Sequence, residues 1–215
     1  MNNWTWEIAY EPATNAYKND QSVVVAAFDF LRQYKGVHNI FHALESEKQH
    51  ILAFVAWDSY ESHEAYMKLD DGKVFAQYVE YVKRAIRDAL PPRHVHFLSD
   101  PLPVLNARVQ EITSVTPKEG VTEEDLAIVL HKIVTYANSV LTVARGGAYG
   151  HYHETVPEKF MLITGWPSYA ALHKVRQSAP LSEMMKELKS KAELVMAHAE
   201  LMPFNNLRGS GCSTC

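Results

Sequence analysis

The chain of 215 residues contains one pattern twice, and this internal repeat limits the folds that it can adopt. When the sequence is compared with itself at a separation of 109 positions, polar and aromatic residues coincide without a gap. The matched pairs are His42 and His151, Glu45 and Glu154, Trp57 and Trp166, Ser59 and Ser168, and Tyr60 and Tyr169. Each half then has about 100 residues, the size of a small domain.

The repeated segment has the pattern of a strand that leads into a helix. Residues 49–57 and 159–166 are apolar at both alternating positions, which is typical of a strand covered on both faces. Asp58 directly follows the first run, and Ser168 follows the second run after Pro167; each can cap a helix N-terminus. A short polar connection, Ser46-Glu47-Lys48, predicts that the strand before residue 49 forms a hairpin with it.

Helical and strand patterns elsewhere give the order βαββαβ in each half. Such a unit forms a four-stranded antiparallel sheet with both helices on one face. We therefore predict an α+β protein of two ferredoxin-like βαββαβ repeats packed sheet to sheet, as an intramolecular pseudo-dimeric α+β barrel. The predicted domains are residues 1–103, residues 104–207 and a flexible tail over residues 208–215 that contains Cys212 and Cys215.

Composition excludes several classes of partner. Lys and Arg total 21 against 25 Asp and Glu, for a net charge of −4, and the basic residues are scattered. Nucleic acid and anionic membranes require a basic stripe, so neither is an expected partner. No apolar run approaches the roughly 20 residues that span a bilayer, and residues 1–4 lack the features of a secretory signal. We expect a cytoplasmic protein, monomeric or homodimeric.

Two segments share a further pattern, a tryptophan that ends the third strand followed by a helix that begins with serine. They are residues 57–66, with Phe75 downstream, and residues 166–173. On these residues the chain resembles the antibiotic-biosynthesis-monooxygenase-like domains of the dimeric α+β barrel superfamily, as a tandem fusion. Family members often carry a histidine about nine residues after the tryptophan, where this chain has Tyr66 and Val175. The resemblance implies binding of a hydrophobic aromatic or polyketide-like molecule between sheet and helices.

Histidines on predicted strands are the candidate bases, because a histidine with an unperturbed pKa of about 6.5 accepts protons near neutral pH. We predict His151, His153 and His42 as catalytic, with Tyr152 hydrogen-bonding a developing oxyanion. The predicted substrate-binding residues are Trp57, Trp166, Tyr60 and Tyr169. The favoured function is a cofactor-independent monooxygenase reaction on an aromatic substrate, with no metal and no cofactor.

Other interpretations stay open at this point. A polyketide cyclase would use the same base, and a stress-responsive protein would only hold its ligand. Haem binding is a further alternative. A metal site could form from His151, His153 and Glu154, or from His94 and His96 with His198, although a His-x-His pair is a weak signal.

Overall fold

The computed structural model describes residues 4–88, 91–140, 144–154 and 157–205. The tail that contains Cys212 and Cys215 lies outside the described residues. The chain divides into two compact units. We call residues 4–94 with 202–205 the N-terminal unit, and residues 95–201 the C-terminal unit. The domain bounds expected from the sequence, at residues 103 and 207, stay a prediction.

The N-terminal unit is an antiparallel sheet with helices on one face. Its elements are β1 (Thr5–Pro12), α1 (Asn15–Asn19), α2 (Val25–Leu31), β2 (Val37–Leu44), β3 (His50–Trp57), α3 (Tyr60–Met67) and α4 (Lys73–Val82), with the start of β4 (Arg93–Phe97) and the short β9 (Met202–Pro203). The strand order is β1, β3, β2, β9, and β4 lies beside β1. The hairpin predicted between β2 and β3 is confirmed by their register.

The segment before α2 is ordered by a side-chain cap. Thr14 accepts a hydrogen bond from the backbone N–H of Tyr17 and starts the short helix α1. The ring of Tyr17 is fully buried on this helix. A side-chain cap and one anchoring aromatic residue are therefore enough to order a segment without a long apolar stripe.

The C-terminal unit repeats the plan. It contains the end of β4, then α5 (Leu102–Leu105), β5 (Val109–Pro117), α6 (Glu123–Ser139), β6 (Gly147–Tyr152), β7 (Phe160–Trp166), α7 (Tyr169–Arg176), α8 (Ala179–Lys191) and β8 (Ala192–Ala199). The strand order is β8, β5, β7, β6, β4, and all described pairs are antiparallel. Thr122 and Asp125 form a capping box at the start of α6. The last helix begins at Ala179.

Each unit has its own apolar core between sheet and helices. In the N-terminal unit the core contains Val55 and Trp57 from β3 and Phe28 and Leu31 from α2. The opposite face of β3 is also buried, since Leu52 and Phe54 are at most 2% exposed. Burial on both faces explains why β3 is apolar at every position, as the sequence predicts. The α+β class with antiparallel sheets is confirmed.

Candidate functional site

The tryptophan that ends β3 holds a carboxylate beneath the helices of the N-terminal unit. Trp57 is fully buried, and its indole Nε1 donates a hydrogen bond of 2.8 Å to Oε2 of Glu7. Glu7 lies on β1 opposite Val55, so its side chain points to the same face of the sheet as the apolar core. Ser59 then caps α3 by accepting a hydrogen bond from the backbone N–H of Ser62. This cap fixes where α3 starts above Glu7.

Two buried histidines extend from that carboxylate. His63 on α3 and His94 on β4 are 1% and 3% exposed. His63 Nε2 lies 3.6 Å from Oε2 of Glu7, and His63 Nδ1 lies 2.8 Å from Nε2 of His94. The second distance is a hydrogen bond, so one of the two imidazoles donates and the other accepts. Glu7, His63 and His94 therefore form a connected array, which we call the Glu-His-His array.

Burial sets the electrostatics of this array. Burial raises the pKa of Glu7, while the hydrogen bond from Trp57 and the charge of His94 act in the opposite direction. A carboxylate in this setting is stabilised by any neighbour that becomes positive.

Aromatic rings surround the Glu-His-His array. Tyr60, at the start of α3, packs edge-on against His94 with ring centroids 4.9 Å apart. Tyr66 lies one turn later beside Trp57 and His63, with centroids 5.4 Å and 6.4 Å away. Tyr66 is 3% exposed, and within the described residues its hydroxyl has no hydrogen-bond partner. Burial raises the pKa of Tyr66, so this hydroxyl stays a proton donor.

The C-terminal unit carries a related constellation. Glu111 on β5 lies opposite Thr164, as Glu7 lies opposite Val55, two positions before the tryptophan of each half. Glu111 Oε2 lies 3.3 Å from Nε2 of His198, and the ring centroids of Tyr169 and His198 are 6.4 Å apart. Glutamate, histidine, tryptophan and tyrosine thus recur at equivalent positions.

The two constellations differ in what accompanies the carboxylate. Leu172 follows Trp166 by six positions, the place that His63 has after Trp57. Arg176 instead donates a hydrogen bond to Glu111 and forms an ion pair with it. Trp166 donates to Oγ1 of Thr164 at 3.0 Å rather than to the glutamate. The C-terminal unit therefore has an arginine–glutamate pair where the N-terminal unit has a second histidine.

A small cavity lies beside this pair, between the sheet and the helices α6, α7 and α8. Its volume of about 20 Å³ is enough for a water molecule. The lining residues are Glu111, Ile133, Tyr136, Ala137, Leu162, Thr164, Trp166, Arg176, Leu181 and Met185. The predicted binding residue Trp166 lines this cavity.

His42 does not lie in the Glu-His-His array. Its side chain is fully buried on β2, and Nδ1 is 2.8 Å from the hydroxyl of Tyr17. In the described part of the chain its Nε2 has no hydrogen-bond partner. Burial lowers the pKa of His42 from 6.5 to about 4, so the imidazole is neutral at pH 7. These contacts are those of a core residue.

The predicted bases on β6 are more accessible. His151 is half-buried against Phe160 with centroids 4.4 Å apart, His153 is exposed, and the Tyr152 hydroxyl bonds Ser114 at 2.9 Å. Their catalytic role stays a prediction.

The gapless match between His42 and His151 does not survive in the strand register. His42 pairs with Ala53, four positions before Trp57, whereas His151 pairs with Phe160, six positions before Trp166. The second hairpin is two residues longer, and Tyr149 holds the register position of His42. The match reflected sequence spacing and not structural equivalence.

The residues that sequence reasoning missed are Glu7, Glu111 and His63. A signal was present, because Glu7 and Glu111 are separated by 104 positions and so are His94 and His198. Matched residues that lie between these in the chain, such as Trp57 and Trp166, are separated by 109 positions. A comparison at one fixed separation therefore does not find both sets of matched residues. Of the described residues, the Glu-His-His array brings three potential metal ligands together, with ligand atoms within 4.8 Å of one another. Among the described residues, His151, His153 and Glu154 do not form such a group.

Comparison with known proteins identifies the fold. No family model matches the sequence and no curated protein matches it. Among solved structures, an anthrone oxidase-like protein superposes with a TM-score of 0.65 at 13% identity, covering 94% of this chain and 92% of that chain. A candidate monooxygenase from Fusobacterium nucleatum subsp. nucleatum gives 0.62 at 11% identity, covering 94% and 93%. A mutant chlorite dismutase from Candidatus Nitrospira defluvii, in complex with cyanide, gives 0.65 at 8% identity, covering 96% and 94%.

Identities this low carry the fold and nothing finer. The neighbours share the fold of this chain and confirm the predicted α+β class with an antiparallel sheet. Within the described ranges, no helix has the length and apolar character needed to cross a membrane.

Proposed function

We propose that this chain is a small-molecule enzyme that carries out monooxygenase-type chemistry on an aromatic substrate, with His94 as the base. The observation that carries the proposal is the Glu-His-His array itself, in which His94 stands 2.8 Å from His63 and His63 stands 3.6 Å from Glu7. Tyr60 and Tyr66 supply the aromatic surroundings that a planar substrate needs.

The array can carry a proton away from a substrate. In the neutral tautomer whose Nε2–H donates to His63, the lone pair of His94 lies on Nδ1 and can accept a proton. The imidazolium that forms is stabilised through His63 and by the charge of Glu7. This is the logic of a carboxylate that orients and stabilises a histidine base, with a second imidazole in between.

The reaction that follows needs molecular oxygen as the oxidant. Removal of a proton from a CH₂ group that is conjugated through aromatic rings to a carbonyl, as in anthrone, gives an enolate. The buried Tyr66 hydroxyl, which has no hydrogen-bond partner within the described residues, would donate a hydrogen bond to the enolate oxygen. The enolate carbon forms a bond to oxygen, and the resulting peroxide loses water. One oxygen atom enters the product as a ketone and the other leaves as water, so that CH₂ and O₂ become C=O and H₂O.

The test is oxygen uptake with anthrone, a probe suggested by the name of one structural neighbour. General base catalysis contributes about 10²–10⁴-fold, so we expect His94→Gln to lower kcat by at least about 100-fold. His63→Gln and Glu7→Gln should lower it less, because they act through His94. His173→Gln, at an exposed histidine on α7, is the matched control and should leave the rate unchanged.

The outcomes separate the alternatives. Full activity in His94→Gln together with loss in His151→Gln would move the base to β6 and refute the assignment. Ring closure of a polyketide without oxygen uptake would indicate a cyclase. Tight binding of aromatic ligands with no turnover would indicate a binding protein. The cytoplasmic location, the oligomeric state and the independence from cofactors stay predictions.

A further inference from the structure

The Glu-His-His array also has the composition of a metal site. Two imidazole nitrogens and one carboxylate oxygen are a donor set that zinc and other first-row divalent metals accept in proteins. In this array the three ligand atoms lie within 4.8 Å of one another, and the two histidines are almost fully buried. We propose that Glu7, His63 and His94 bind one divalent transition-metal ion, with Zn²⁺ as the reference case.

The spacing of the imidazoles supports this proposal. His63 Nδ1 and His94 Nε2 are 2.8 Å apart. Two ligands at the tetrahedral angle around zinc, with bonds of about 2.1 Å, are about 3.4 Å apart, so the two nitrogens have to separate by about 0.6 Å. A metal ion would replace the proton that the two nitrogens now share. The carboxylate oxygen of Glu7 lies within 4.8 Å of both nitrogens and would have to move closer to them to complete the set.

The surroundings of the carboxylate have the form expected around a metal ligand. Trp57 donates a hydrogen bond to Oε2 of Glu7, and partners of this kind orient ligands in metal sites. Three protein ligands leave at least one position open for water or a substrate atom. The negative charge of Glu7 also compensates a divalent cation in a buried place.

The C-terminal unit provides an internal comparison. Glu111 and His198 occupy the equivalent positions, but Leu172 replaces the second histidine and Arg176 already pairs with the carboxylate. A fixed guanidinium beside Glu111 opposes a second cation. We therefore expect metal binding in the N-terminal unit and not at Glu111.

Bound metal and base catalysis exclude each other at His94. A metal ion on Nε2 and the array's shared proton compete for the same lone pairs, so Zn²⁺ should inhibit the proposed oxygen uptake. The metal proposal itself rests on the geometry of the array and not on the proposed function.

The experiment uses the purified full chain stripped of metal with a chelator. Co²⁺ and Zn²⁺ are added separately, and binding is followed by the visible absorption of Co²⁺, by calorimetry and by elemental analysis after gel filtration. We expect one ion per chain, and a melting temperature that rises with Zn²⁺ concentration. His63→Gln, His94→Gln and Glu7→Gln should each weaken binding by at least about 100-fold, more than the loss of an outer-shell partner costs.

Two control variants make the test specific. His198→Gln removes the equivalent histidine, and the double variant His151→Gln with His153→Gln removes the accessible histidines of β6; both should bind as the parent does. Should a buried variant fail to fold, the stoichiometry and spectrum of the parent chain and of Glu7→Gln still decide. Absence of binding in the parent chain, or loss of binding only in the β6 double variant, would overturn the proposal.

Turnover is read separately. Metal binding without any oxygen uptake would leave the metal site standing and remove the proposed function. Oxygen uptake without metal binding would refute the metal site and leave the proposed function standing.

Discussion

Burial of His42 predicts that stability falls steeply in mild acid. Its pKa is lowered from 6.5 to about 4 because the side chain is fully buried. Between these values the unfolded chain binds a proton that the folded chain does not, so the free energy of unfolding decreases as the pH falls. The difference between these two pKa values corresponds to about 3 kcal/mol of unfolding free energy, of which about 2 kcal/mol is lost between pH 7 and pH 5.

Urea unfolding of the parent chain and of His42→Gln at pH 7, 6 and 5 measures this effect. Glutamine does not titrate and can accept a hydrogen bond from Tyr17 in place of Nδ1. We expect the variant to be less stable at pH 7 but to lose about 2 kcal/mol less than the parent between pH 7 and pH 5. His173→Gln, at an exposed position, should keep the parent's pH dependence. If the parent and His42→Gln lose equal stability over this range, the burial argument is wrong.

Three further changes test other contacts. Trp57→Phe removes the donor to Glu7 and should cost at least about 1–3 kcal/mol in urea unfolding, a loss that Glu7→Gln in the same chain should reduce in a double-mutant cycle. Gly150→Ala should destabilise by about 1–3 kcal/mol or more, because an added Cβ would lie 2.2 Å from the backbone oxygen of His96 on β4; an unchanged melting temperature would contradict that close approach. Thr122→Ala breaks the capping box of α6 and should cost about 1 kcal/mol, and an equal loss in Thr122→Ser would show that the hydroxyl is not responsible.

Much of the fold could be predicted from the sequence because it depends on local periodicity. The apolar run of β3 and the capping residue Ser168 each indicate an element within a few residues of themselves. The cap of α3 is Ser59 and not the expected Asp58, one position away. The pairing of β2 with β3 follows from a short connection. These signals need no information about distant parts of the chain.

The candidate site depends on distant parts of the chain, and there the sequence was less informative. Glu7, His63 and His94 are brought together by the pairing of strands and the docking of α3, which leave no spacing rule. In β1 the apolar residues Trp6 and Ile8 point to one face of the sheet, whereas Glu7 lies opposite Val55 and points to the same face as the apolar core. His42 was chosen for its match with His151, which the longer second hairpin makes accidental.

Trp57, Tyr60, Trp166 and Tyr169 were found because they repeat at the same offset and adjoin the strand-to-helix connection. The structure places Trp57 and Tyr60 at the Glu-His-His array, and Trp166 and Tyr169 at the constellation of Glu111 and His198. Their roles in substrate binding stay predictions.

The most direct test of the central claim separates proton removal from oxygen chemistry. Anthrone is incubated with the enzyme in deuterated buffer without oxygen, and exchange at its CH₂ group is followed by NMR above the uncatalysed rate. The account predicts catalysed exchange by the parent chain, a loss of at least about 100-fold in His94→Gln, and an unchanged rate in His173→Gln. Catalysed exchange that persists in His94→Gln would show that the Glu-His-His array is not the base.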